Sequence, residues 1–246
     1  MNLQNKNILG VAGIAATLFL ASCTKTFDEK VEQQRNFSNS SILQVYMGTV
    51  SATRNYVYVD SKPVNGAAIA LGGVFPATGY GFSVPIGVRA FLIRDTLTAA
   101  TQTPLSFAEN MQPNKNYTIF MYDTINAAKQ KTVETNIVIP DDTTARLRFA
   151  NFVFSKTTVP AVDIFSKRRN QNIFTNIQVT DVTGFIPYAS ALTDTFLVRE
   201  TGTMNQLAAL NGLTPTARRS YTLVFRGRYG TTSGTIARTL SSFVNF

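Results

Sequence analysis

The chain has 246 residues, 44% of them hydrophobic and 15% charged, with a formal net charge of +9; that length accommodates one or two ordinary cores of ~100–150 residues. It holds no His, no Trp and one Cys, Cys23, which excludes a His-dependent triad, a His metal site, a thiol active site outside the leader and any internal disulfide. Scarce charge together with frequent Thr, Asn, Val and Phe favours strands and turns over long helices, so the chain is expected to be all-β.

Met1 to Cys23 divides into a short basic start ending at Lys6, an apolar run from Ile8 to Leu20, and the sequence Leu20-Ala21-Ser22-Cys23. The apolar run is shorter than the ~20 residues that cross a hydrocarbon core, so 1–22 is expected to be a removed signal peptide, not a retained span. Leu20-Ala21-Ser22-Cys23 resembles the lipobox of bacterial lipoproteins. The resemblance implies cleavage before Cys23, lipidation of its thiol, and a membrane partner held through acyl chains, each contributing ~0.8 kcal/mol per buried CH₂. Thr24 in the second position, with Lys25, Asp28 and Glu29 after it, resembles the sorting signals of outer-membrane, outward-displayed lipoproteins of Bacteroidota; the periplasmic face is the alternative. Residues 23–41 are polar, with Phe27, Val31 and Phe37 as the large apolar side chains. They are expected to be a disordered tether reaching about 60 Å extended and roughly 20–25 Å as a coil.

Beyond the tether the chain repeats itself. Phe91-Leu92-Ile93-Arg94-Asp95 returns as Phe196-Leu197-Val198-Arg199-Glu200, Asn116-Tyr117-Thr118-Ile119-Phe120 as Ser220-Tyr221-Thr222-Leu223-Val224, and Gly81-Phe82 as Gly184-Phe185. Matched segments in one order at nearly constant spacing predict two copies of one domain, 42–140 and 145–246. Short strand-like runs between turn residues predict antiparallel sandwiches. In the second copy the runs are 145–152, 161–166, 173–179, 183–188, 195–200, 206–213 and 220–228. Alternation in Arg146-Leu147-Arg148-Phe149 predicts Leu147 and Phe149 facing a core and both arginines facing solvent. Tyr117 and Tyr221, each a few residues past a Pro, either form tyrosine corners or merely open core strands.

The segments Ala145-Arg146-Leu147-Arg148-Phe149-Ala150-Asn151-Phe152, Pro160-Ala161-Val162-Asp163-Ile164-Phe165, Phe174-Thr175-Asn176-Ile177, Val182-Thr183-Gly184-Phe185-Ile186-Pro187 and Ser220-Tyr221-Thr222-Leu223-Val224 resemble domain-of-unknown-function 4397 of exported Bacteroidota lipoproteins. The first copy shares Gly81-Phe82-Ser83-Val84-Pro85 and Asn116-Tyr117-Thr118. The resemblance implies two tandem immunoglobulin-like β-sandwich domains and no catalytic residues, and it is silent on activity.

Charge is uneven. Residues 23–144 hold ten basic and ten acidic side chains, and 145–246 hold twelve basic and four acidic. Because strands joined by short loops alternate direction, Lys167-Arg168-Arg169 and Arg218-Arg219 should fall at one end of the second copy, beside Asp141 and Asp142. They are the candidate anion-binding residues, suited to acidic glycans or phosphorylated envelope polymers. The competing reading has them paired with acids across the joint or lying on a solvated rim. Nucleic acid ranks last as a partner, since no recognition motif accompanies the charge. Gly230-Thr231-Thr232-Ser233-Gly234 lacks nucleophile-elbow spacing and reads as a hairpin loop. Asp141-Asp142 lacks the further oxygen ligands of a calcium loop. Tyr56, Tyr58, Tyr80, Tyr188 and Tyr229 are either sugar-stacking rings or half-buried sheet residues. No catalytic residue, metal ligand or cofactor is assigned. The expectation is a non-enzymatic, lipid-anchored module for adhesion, envelope structure or accessory binding, with other envelope proteins or glycans as partners. A hydrolase using carboxylates or a Ser without His is the alternative from another class.

Overall fold

The computed structural model describes residues 38–97, 99–137 and 139–245. The signal segment, the lipobox with Cys23, and 24–37 of the expected tether lie outside the described residues. The chain from Asn36 onward is one compact unit, and among its described residues the regular elements are all strands.

The first copy contributes β1 (Ser40–Met47), β2 (Tyr56–Val59), β3 (Lys62–Pro63), β4 (Val74–Phe75), β5 (Phe82–Pro85), β6 (Gly87–Arg94), β7 (Leu105–Met111), β8 (Asn116–Tyr122) and β9 (Lys129–Glu134). The second contributes β10 (Ala145–Asn151), β11 (Val162–Ser166), β12 (Gln171–Ile177), β13 (Ile186–Tyr188), β14 (Asp194–Glu200), β15 (Gln206–Leu213), β16 (Ser220–Arg226) and β17 (Thr239–Val244). Each copy is a two-sheet sandwich. The inner sheets run β4-β1-β8-β9, with β5 also on β1, and β13-β10-β16-β17; the outer sheets run β3-β2-β6-β7 and β12-β11-β14-β15. The strand order is the same in both copies, as the internal repeat requires.

Three expectations need correction. The first sandwich begins inside the range expected for the tether, because Ser40 and Ser41 already pair with β5 and the buried Ser41 hydroxyl donates to the Gln112 carbonyl at 2.6 Å. The sandwiches are not wholly antiparallel, since β1 lies parallel to β8 and β10 parallel to β16. In the second copy, strands that alternate direction make the first and seventh point the same way, so placing them side by side yields a parallel pair; in the first, β4 and β5 both run antiparallel to β1, and the eighth strand, β8, comes to lie parallel to it. The second copy also has an eighth strand, β17, reached through the loop around Gly230 and paired along β16.

Both readings of the tyrosines hold together. The Thr216 N–H donates to the Tyr221 hydroxyl at 3.0 Å and the Gln112 N–H to the Tyr117 hydroxyl at 3.4 Å, a corner in each copy, while both rings pack on their cores. One core gathers Leu147, Phe149, Ile164, Phe196, Leu223 and Phe225; the other gathers Leu43, Val45, Val57, Phe91, Ile119 and Met121.

A third cluster joins them. Side chains alternate along a strand, so Leu43, Val45 and Met47 enter the first core while Gln44 and Tyr46 point out of it. They are nevertheless buried, as are Phe120, Ala150, Phe152 and Val224, because the two inner sheets cover each other. Phe120 stacks on Phe152 with centroids 4.7 Å apart and Tyr46 on Phe243 at 5.3 Å. Gly72, at φ +88°, leaves room for the Arg226 guanidinium arriving from the other copy; a Cβ there would lie 2.6 Å from it. The result is four sheets with a continuous interior.

The contact is symmetric in register. Leu43 pairs with Tyr117 as Leu147 pairs with Tyr221, so Gln44 and Arg148 are equivalent, and Thr135 is likewise equivalent to Asn245. Gln44 reaches across to Asn245, which donates to its Oε1 at 3.0 Å; Arg148 reaches across in the opposite sense to Thr135 at 3.2 Å. The Thr118 to Thr135 hydrogen bond of one copy has its counterpart in Thr222 to Asn245 of the other. This is the geometry of an isologous dimer contained in one chain.

Candidate anion-binding site

The loops 167–170, 189–193 and 214–219 lie at the end of the second sandwich where β10 and β16 begin, and their bonds tie them together. The Arg168 N–H donates to Asp194 Oδ1 at 2.8 Å, Ala191 N–H to the Pro215 carbonyl at 2.8 Å, and Arg218 N–H to the Thr144 carbonyl at 2.8 Å. The 188–194 segment thus links Lys167, Arg168 and Arg169 on one side to Arg218 and Arg219 on the other. Lys167, Arg168, Arg169 and Arg218 are exposed and Arg219 is half-buried.

What holds the basic turn in place is a buried polar knot. Ser166 donates to Asp194 Oδ2 at 2.5 Å, Tyr188 donates to the same oxygen, and the Arg169 N–H donates to Ser166 Oγ at 3.0 Å. Burial pushes the Asp194 carboxyl upward, yet hydrogen bonds from Ser166, Tyr188 and two backbone N–H groups outweigh it and hold its pKa below the usual aspartate value. Burial and the carboxylate beside it raise the Tyr188 hydroxyl. Ser166 and Tyr188 are fully buried, so this meeting of a serine and a carboxylate is a structural brace beneath the turn, closed to substrate.

The arginines take aromatic partners in place of acids. Arg169 and Arg168 lie 4.1 and 5.4 Å from the centroid of Tyr188, and Arg219 crosses to the first sandwich, donating to the Tyr80 hydroxyl at 3.0 Å. Arg54, Arg94 and Arg238 likewise cover Tyr56, Tyr58 and Tyr229. All five tyrosines considered for sugar stacking therefore carry a guanidinium on the ring, an arrangement worth ~0.5–1 kcal/mol each at exposed positions. Asp142 accepts from the Thr144 hydroxyl and N–H at 2.5 and 2.8 Å. Those bonds first, then the charges of Arg146 and Arg218, lower its pKa. Among the described residues, ion pairs within 4.0 Å are Arg89 with Asp60, Lys115 with Glu134 and Lys129 with Asp123, all in the first sandwich. Also among the described residues, no three acidic side chains converge to hold a metal.

Two clefts flank the junction. One, of about 330 Å³, is lined by Glu134, Asn136, Arg146, Arg148, Thr183 and Phe185. The other, of about 410 Å³, is lined by Ile42, Tyr80, Gly81, Asn116, Ile137 and Asn245. Arg148 overturns the expectation that both arginines of the first strand face solvent: it is 2% exposed, because the first sandwich covers the face it projects from. Its Nε donates to Thr222 at 2.8 Å and its Nη2 to Thr118 at 3.0 Å and to Thr135 at 3.2 Å. The rings of Phe185 and Phe120 lie 4.8 and 5.7 Å from its guanidinium carbon. Burial draws its pKa down to about 9, still above neutrality, so the group is a cation, and among the described residues no carboxylate lies within ion-pair distance of it. Arg146 is half-buried beside it. The sequence signal for this burial is the run Phe149-Ala150-Asn151-Phe152, apolar on both faces of the strand.

No protein-family model matches the chain, and no curated protein matches it. Among solved structures, CBMbc (family CBM26) from Eubacterium rectale Amy13K in complex with maltoheptaose aligns with a TM-score of 0.27 and 9% identity, covering 83% of this chain and 95% of that one.

Proposed function

We propose that the protein is a non-catalytic lipoprotein of the bacterial outer membrane, held through acyl chains on Cys23, whose basic end engages anionic envelope material. Domain-of-unknown-function 4397 is the family its strand motifs point to. The observation that carries the binding role is positional. β1 runs in the same sense as β16, and so starts at the end of the unit where β10, β16 and the basic loops lie, because Gln44 donates to the carbonyl of Val244, the partner of Tyr221, at 3.0 Å, while Tyr46, further along β1, bonds Ser241, the partner of Val224, at 3.2 Å. A chain tethered before Ser40 therefore carries Lys167, Arg168, Arg169 and Arg218 on the side from which the tether arrives. Arginine forks there suit phosphate and carboxylate groups of lipopolysaccharide or acidic glycans.

The test is sedimentation of the full-length chain with lipopolysaccharide and with an acidic polysaccharide, at low salt and at 0.5 M salt. Binding is expected at low salt and loss at high salt, as exposed charges are screened. Changing Arg168, Arg169, Arg218 and Arg219 to Glu should abolish it; undiminished binding by that variant removes the reading. The anchor is tested separately by Cys23→Ala, expected to move the protein out of the membrane fraction of its host.

A further inference from the structure

Arg148 sits where the fold needs no charge. Its register equivalent, Gln44, makes the corresponding reach across the junction with a neutral amide, bonded to Val244 and Asn245 and 3% exposed. The same backbone, the same neighbouring strands and the same depth of burial are thus satisfied by an uncharged side chain in one half. In the other half a guanidinium is held among three threonine hydroxyls and two aromatic rings, with no carboxylate bonded to it among the described residues. Desolvating an unpaired cation is costly, and burial alone is the cause that lowers its pKa. One of its nitrogens, Nη1, has no hydrogen-bond partner among the described residues, and Arg148 lines the open cleft of about 330 Å³.

The rest of that cleft completes a site. Arg146 stands on its wall as a second cation, its Nη1 held by Thr144 and by the Ala145 carbonyl at 3.3 Å. Glu134 is the acid on the wall, and Lys115 neutralises it at 2.6 Å. Asn136 supplies a neutral donor and acceptor, the Thr183 hydroxyl, which already donates to the Gly184 carbonyl at 3.0 Å and accepts from the Phe149 N–H at 2.9 Å, keeps one acceptor site, and Gly184 has nothing within 4 Å of where a Cβ would stand. The dimensions suit one sugar-sized molecule. The opposite cleft offers Ile42 and Ile137 instead and holds no cation on its wall among the described lining residues.

We propose that the cleft between the two sandwiches binds a small hydroxylated anion, one carboxylate or phosphate on a sugar-sized body, with Arg148 as its buried counter-ion and Arg146 as its outer clamp. The anion completes the hydrogen bonding of Arg148 Nη1, while Asn136, Thr183 and Glu134 meet its hydroxyls. This site uses none of the residues of the basic end, so it stands or falls independently of that reading.

The experiment is thermal unfolding of the full-length chain titrated with glucuronate, glucose 6-phosphate and inorganic phosphate, against glucose and sodium chloride at matched ionic strength. A saturable rise in Tm is expected with glucuronate, with glucose 6-phosphate, or with both, and these arms separate a carboxylate ligand from a phosphate one; glucose and salt should give no saturable rise. Arg148→Gln copies the side chain already used at the equivalent position and should fold with unchanged or higher Tm while losing the anion-dependent rise. Arg146→Gln, at the mouth, should weaken half-saturation at least tenfold. No saturable rise with any anion in the unaltered chain, or a rise that survives in Arg148→Gln, overturns the proposal. The quadruple Arg→Glu variant of the basic end should keep the rise, so failure of surface binding and failure of this site are told apart.

Discussion

The two clefts beside the junction are the same place built twice. Tyr80 and Gly81 edge one as Gly184 and Phe185 edge the other, and Ile42 lines one where Arg146 lines the other; Arg148 lines the second, and its equivalent Gln44 is bonded to Asn245 on the wall of the first. One is apolar and closed by amide bonds, and the other holds two arginines, one of them buried without an acid. Since both halves fold with the same strand order, the contrast separates what folding needs from what it merely tolerates. Folding needs a donor at this register position that can cross the junction. It does not need the charge.

That contrast can be broken or sharpened by substitution. The largest effect is expected from Phe120→Ala, which empties the ring that meets Tyr46, Phe152 and Phe243 and so damages both halves of the contact at once. A loss of about 3–5 kcal/mol is expected, read by urea unfolding, and calorimetry should show the single transition splitting in two as the sandwiches uncouple. Next, Gln44→Arg makes the apolar cleft imitate the basic one but with Asn245 where that one has Thr135, burying a second unpaired cation at a cost of roughly 3 kcal/mol. Arg148→Gln is its mirror image and should lie within about 1 kcal/mol of the unaltered chain or above it. If both substitutions destabilise alike, the two clefts are not equivalent in the sense argued.

Smaller effects compare the copies elsewhere. Tyr221→Phe removes the 3.0 Å corner bond and should lose about 1 kcal/mol, whereas Tyr117→Phe, whose bond is 3.4 Å, should lose less. Acid provides the last comparison. The Asp194 carboxyl has its pKa lowered on folding, so its contribution is complete above the unfolded aspartate value near 4 and fades as pH falls through the folded one. Asp194→Asn should therefore flatten that part of the acid-unfolding curve, and it should do so through the second sandwich.

Much of the architecture is legible in the residues because its signals are local. The repeated Phe-Leu-aliphatic-Arg-acid and Tyr-Thr segments fall on β6 and β14, and on β8 and β16, and the turn residues around Lys167 and Arg218 place the basic loops at one end. Other features are not legible there. β17 is built on Thr239-Leu240-Ser241-Ser242-Phe243-Val244, too polar to stand out from the loop before it. Arg148 was misplaced because alternation reveals which residues share a face, not whether a second sheet lies over that face. That information resides in the partner sheet, more than a strand away in sequence. The equivalence of Gln44 and Arg148 is hidden as well, since Ile42-Leu43-Gln44-Val45-Tyr46 and Arg146-Leu147-Arg148-Phe149-Ala150 share one residue and only the hydrogen-bond register aligns them.

The matched contact between the inner sheets has a consequence for a severed molecule. Each half carries both sides of a self-complementary surface, so residues 145–246 made alone would offer Phe152 and Phe243 to water together with the strand faces that could cover them. Such a fragment should not persist as a monomer; it should meet its own kind across a true two-fold axis, with Arg148 of each member turned toward Asn245 of the other.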